Sequence, residues 1–182
     1  DKAILRELAQ KQLEAAHSEK NQERIAKWKL HNTFRGKRPM VHIEVDTFEQ
    51  EVITPLLRCE DPLARRLEHD LYHNFINLTE FDDDKVVPDY FPVEWQTYFH
   101  PFGFEISETH ATDSQGNSVG FQYNHVIEDL GDAYPTLKPS KSGVLREESL
   151  AYRQAAEEAF GDILPVQMAM KCLVAVPTQQ VV

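Results

Sequence analysis

The stretch Val41–Asp46 restricts the fold more than any other part of this chain. Val41, Ile43 and Val45 alternate with His42, Glu44 and Asp46. Successive side chains of a strand point to opposite faces, so the pattern predicts one apolar and one ionisable face. It follows two helical segments and the punctuation of Gly36 and Pro39. Such a strand fits the start of a βα barrel, with its apolar side packed under helices. Its ionisable side would face the barrel mouth, where these folds do their chemistry.

The remaining pattern extends this reading. Ile4, Leu5, Leu8, Ala9 and Leu13 recur at helical spacing, and Ser18 or Asn21 can cap a second helix through Leu30. Phe48–Leu57 reads as helix interrupted near Pro55. Asp61 as N-cap, Pro62 at the first position and Leu63, Leu67, Leu71 and Phe75 define a helix to about Leu78. Val86, Val87 and Tyr90 suggest a second barrel strand. Turn formers at 113–117, flanked by alternating segments, predict a hairpin insertion at about 103–127. A helix over 147–160 ends at Gly161, and a strand follows within 163–176, where Val166, Met168 and Met170 alternate with Gln167, Ala169 and Lys171. The expected architecture is α/β: a helical segment over 1–38, then over 39–182 the N-terminal part of a TIM-like (β/α)8 barrel. A chain that opens on Asp1 and ends in an apolar stretch reads as a segment of a longer one.

Charge limits the function. Residues 1–38 hold ten Lys/Arg against five Asp/Glu, whereas residues 39–182 hold nine against twenty-five. An acidic bulk argues against nucleic-acid binding, which needs a basic patch. No apolar run approaches a membrane span and no signal-peptide pattern opens the chain. Cys59 and Cys172 lack metal-ligand spacing and read as small buried hydrophobes in a reducing compartment.

His42, Glu44 and Asp46 are the candidate catalytic residues. Neighbours two apart on a strand lie about 6–7 Å from one another, close enough to share a ligand or to split carboxylate pKa values. The competing reading is a buried polar layer holding the sheet together. Asp89 and Glu94, flanking Pro92, are candidate substrate-binding groups, with loop solvation or helix capping as the alternative. Trp95, Tyr98, Phe99, Phe102 and Phe104 form either an apolar wall for a ligand or ordinary core. His100 pairs with Tyr98 at strand spacing. Nothing resembles a P-loop, a dinucleotide fingerprint or a nucleophile elbow.

Several stretches, in this order, resemble the uroporphyrinogen decarboxylase superfamily, and more closely its methyltransferase-like branch. They are Trp28-Lys29-Leu30-His31-Asn32 with Arg38-Pro39-Met40-Val41, then Pro92-Val93-Glu94-Trp95-Gln96, then Asp129-Leu130 with Leu137-Lys138-Pro139, and finally Gly161-Asp162-Ile163-Leu164-Pro165-Val166. The resemblance implies a barrel of about twice this length and a cytoplasmic location. It also implies one of two activities: decarboxylation of a tetrapyrrole or another carboxylate, or methyl transfer between a small methylated substrate and a corrinoid protein. The decarboxylase carries an Arg-Gln-Ala-Gly-Arg motif after its first strand; here Glu44-Val45-Asp46-Thr47-Phe48 is acidic instead and would repel a polycarboxylate. Methyl transfer is therefore the leading expectation, with zinc held by ligands outside these residues and the corrinoid on a partner protein. A non-enzymatic binding or assembly module, with a homo-oligomer as one form, is the third. It predicts a large exposed apolar patch over 94–126.

Overall fold

In the computed structural model, α1 (Lys2–His17) buries Leu5, Leu8 and Ala9 of the expected stripe, together with Ala16, while Ile4 and Leu13 are half-buried. The structure describes residues 1–112, 114, 116 and 118–170. Cys172, residues 171–176 of the expected last strand, and Asp113, Gln115 and Asn117 of the expected turn lie outside them. The chain forms two units, one of residues 1–94 and 148–169, the other of residues 95–147 with Met170. The segment 1–38 belongs to the first unit.

In the first unit, α2 (Glu19–Asn32) is capped by Ser18, whose hydroxyl accepts the Asn21 N–H. A short 3₁₀ turn over Val45–Phe48 leads into α3 (Glu49–Val52). The Asp61 carboxylate accepts the Leu63 and Ala64 N–H groups at the start of α4 (Pro62–Glu80). Leu67, Leu71 and Phe75 of α4 join Leu5 and Leu8 of α1 in the core, with β1 (Phe91–Glu94) and Tyr152, Ala156 and Phe160 of α6 (Arg146–Phe160). The Phe91 and Phe160 rings meet edge to face, 5.2 Å between centroids. Each such side chain stabilises by about 1.5–3 kcal/mol when fully buried. A smaller cluster of Val45, Ile53 and Ile76 fastens the 45–53 segment to α4.

The expected barrel does not form. The described strands make three separate two-stranded sheets, and only one of them is parallel: β1 with β6 (Val166–Ala169), pairing Phe91 with Val166 and Val93 with Met168. Two segments expected as barrel strands are extended chain; apart from the Asp84 N–H donated to the Val41 carbonyl, the backbone bonds described for them go to side chains. Asp84 Oδ2 accepts the Val41 N–H and Asp83 Oδ2 the Ile43 N–H, while Asn77 Nδ2 donates to the Ile43 carbonyl. At the second segment, Val87 pairs its N–H and C=O with the Asn21 amide. Gln12 Nε2 donates to the Pro88 and Tyr90 carbonyls. These bonds take up backbone groups that a barrel strand would offer to its neighbours.

The second unit is antiparallel. β2 (Thr97–His100) pairs with β5 (Lys141–Val144), and β3 (Glu108–Thr112) with β4 (Ser118–Tyr123); a short α5 (Leu130–Ala133) lies between β4 and β5 in sequence. The hairpin expected at 103–127 is thus present, with shorter strands. Opposite Tyr98 stands Gly143, and a Cβ there would lie 2.6 Å from the Tyr98 hydroxyl oxygen, so the ring occupies the space a side chain would take. Among the described residues no helix is long and apolar enough to cross a membrane.

Candidate functional site

The three expected catalytic residues do not share a strand face. His42 and Glu44 are exposed on the extended segment, and Asp46 lies in the 3₁₀ turn. Val41 is exposed, whereas Val45 is fully buried, so the alternation does not sort the segment into an inner and an outer face. Asp89 is exposed before β1, and Glu94 ends that strand. In the second unit, Trp95 is half-buried with the Arg146 guanidinium over its ring at 5.3 Å. The Tyr98 and His100 rings are 5.4 Å apart, on one face of β2.

Of these residues, Asp46 enters a cluster of ionisable groups on α4. His69 and His73 stand one turn apart on α4 with their rings nearly parallel, 6.3 Å between centroids. His73 Nε2 lies 3.0 Å from Asp46 Oδ1, and His69 Nε2 lies 3.1 Å from Glu49 Oε2. His69 Nδ1 is 3.3 Å from Asp70 Oδ1, and the Tyr152 hydroxyl donates to Asp70 Oδ2 at 2.7 Å. The Arg66 guanidinium covers the Tyr152 ring at 4.4 Å. The signal for this cluster was the His-x-x-x-His spacing of 69 and 73, which puts both rings on one helix face.

The two imidazoles titrate in opposite directions. The hydrogen bond to Asp70, helped by Glu49, raises the His69 pKa. Burial and the nearby Lys85 lower that of His73, against the pull of Asp46. Burial also raises the Tyr152 pKa, with Asp70 adding to it. A general base needs a ring nitrogen within reach of a substrate proton. Here the Nε2 atoms of both rings face carboxylates, so the cluster clasps the 45–52 segment to α4.

Buried charges lie close by. Arg24 and Asp83 pair at 3.5 Å, both almost fully buried. Arg38 grips Asp84 with both terminal nitrogens, at 2.8 and 2.6 Å. That contact, with the Val41 N–H, lowers the Asp84 pKa to about 2. Buried Glu68 accepts the Arg58 and Cys59 N–H groups. Burial and the Glu68 charge push the Cys59 thiol up to about 11, so it is not a nucleophile at neutral pH.

Among the described residues, no three His, Cys, Asp or Glu side chains are placed to hold a metal ion. A groove of about 360 Å3 is lined by Leu5, Leu63, Leu67 and Ala159 with Asp1 and Asp61. Its two aspartates already accept backbone N–H groups at the start of α4. No family model, curated protein or solved structure matches this chain.

Proposed function

We propose that this chain is a binding module whose second unit docks on another protein through an aromatic face. One observation carries the reading. Every residue of β2 and β3 is exposed, and the β3–β4 hairpin sets His110, Phe121 and Tyr123 side by side on one face. Phe121 is 56% and Val119 65% exposed. The opposite face of the hairpin carries Thr109 and Gln122. Glu108 stands on the same face, in register with Tyr123 and 3.4 Å from His110, so exposed Val119 and Phe121 beside a carboxylate support recognition of a mixed apolar and polar surface. A photo-crosslinking residue at position 121, tested in extract of the source cells, should trap a protein that the same probe at position 122 does not. Equal trapping at the two positions, or none, overturns the reading.

Methyl transfer to a corrinoid partner keeps one specific support. β1 and β6 run parallel, and Glu94 closes β1 at its carboxyl end. Ligands of α/β folds bind beyond the carboxyl ends of parallel strands. Methyl transfer from methylated or methoxylated donors to cob(I)alamin tests this reading, and absence of turnover across donors and carriers counts against it.

A further inference from the structure

The β1–β6 sheet has two unlike edges. Phe91 N–H donates to the Pro165 carbonyl at 2.7 Å, and Phe91 is in register with Val166. In a parallel ladder this turns the backbone groups of Phe91 and Val93 toward β6, and those of Pro92 and Glu94 away from it. The outer edge of β1 is therefore blunted: Pro92 has no N–H, and Glu94 brings a charge. The same register turns the backbone groups of Pro165, Gln167 and Ala169 toward β1 and those of Val166 and Met168 outward. The outer edge of β6 thus offers two N–H and two C=O groups, with no proline among them. Among the described residues no strand lies beyond it.

An isolated parallel pair is an unusual structure, because parallel sheets are ordinarily extended and covered. Charge points to the occupant. The chain carries a net charge of −11, yet residues 163–170 contain no Asp, Glu, Lys, Arg or His. Here a second equally acidic copy can approach without setting carboxylate against carboxylate. The edge is also self-complementary. Run antiparallel about a twofold axis at Gln167, Val166 faces Met168 of the partner subunit, and each such pair exchanges two backbone hydrogen bonds.

We propose that two copies of this chain associate through their β6 strands, edge to edge and antiparallel, joining two two-stranded sheets into one. Gln167 meets its own symmetry mate at the axis, in the close pairing where like charges are destabilising. This contact uses residues of the first unit alone.

Sedimentation of the full 182-residue chain should show a dimer that tightens with salt, as repulsion between acidic copies is screened. Gln167 is exposed, so Gln167→Glu and Gln167→Lys should each fold, as circular dichroism would show, and each should weaken the dimer by about tenfold or more. Mixing the two variants should restore it. Hydrogen exchange gives an independent readout: the Val166 and Met168 amides should gain protection with concentration, while the Phe91 amide is protected at every concentration. A chain that stays monomeric at a few hundred micromolar, or a dimer indifferent to both Gln167 variants, overturns the proposal. A loss of crosslinking at Phe121 with this dimer intact would count against the binding-module reading alone.

Discussion

The Asn21 side-chain amide pairs with both backbone groups of Val87, accepting its N–H at 2.9 Å and donating to its carbonyl at 3.0 Å. A helix residue here does for an extended segment what a neighbouring strand would do in a sheet. The same Nδ2 also reaches the Ala16 carbonyl, at the turn between α1 and α2. Replacing Asn21 by Leu leaves the Val87 N–H and carbonyl without these partners, while the Ala16 carbonyl keeps the Gln22 Nε2. The expected loss is about 2–4 kcal/mol, given that an orphaned buried polar group costs about 1–3 kcal/mol. Urea denaturation at neutral pH measures it, and a loss below about 1 kcal/mol would show that the 85–90 segment is held by other means.

Asp84 makes stability depend on acid. Its folded pKa of about 2 lies below the ordinary 3.8. Its contribution is therefore complete above the unfolded value and disappears as pH falls from about 4 to about 2. Linkage sets an upper size of about 2 kcal/mol, reduced because Arg38 is half exposed. In Arg38→Met this part of the acid dependence should shrink, as denaturation curves across that range would record. An unchanged profile would separate Arg38 from the Asp84 titration.

His69 and His73 should titrate on opposite sides of the ordinary histidine value of 6.5. The raised His69 stabilises fully below 6.5 and loses that contribution as pH rises through its folded pKa. The lowered His73 contributes fully above 6.5 and loses its contribution as pH falls toward its folded pKa. Asp70→Asn should bring the His69 value down, and Asp46→Asn should lower that of His73 further. Imidazole proton shifts followed by NMR resolve both, and coincident titrations would contradict the clasp geometry.

Gly161 and Gly120 should respond differently to the same substitution. A Cβ at Gly161 would meet the Glu157 carbonyl oxygen at 2.7 Å, a backbone contact that cannot swing aside. At Gly120 nothing lies within 4 Å. Gly161→Ala should cost about 1–3 kcal/mol and Gly120→Ala less than about 0.5 kcal/mol, within the usual range for a strained site and for an open surface site. Thermal unfolding of the two variants makes the comparison.

The helices were legible in the sequence because caps and stripes are local. Asp61-Pro62 begins α4, Ser18 begins α2 and Gly161 follows α6. Val166 and Met168 alternate with Gln167 and Ala169 as expected, and those four residues are a strand. The Val41–Asp46 and Val86–Val87 segments have strand composition but their hydrogen-bond partners are side chains more than thirty residues away in several cases, as with Asn77 and Ile43 or Asn21 and Val87. Alternation reports a preference for extended backbone and says nothing about what the backbone will bond to. For the same reason Asp46 was found as a candidate but its partner His73 was not. β2 and β5 were missed because Thr97–His100 lies in an aromatic stretch without clean alternation, and Lys141–Val144 contains Gly143.

Helical polar side chains that hold the extended segments also decide where this chain can vary. Asn21, Gln12 and Asn77 each satisfy a main-chain group on a distant segment, whichever side chain that segment bears. A saturation scan should therefore find interior positions on α1, α2 and α4 less permissive than exposed Val41 or His42, inverting the ordinary expectation that amide residues are freely exchanged while aliphatic ones are fixed.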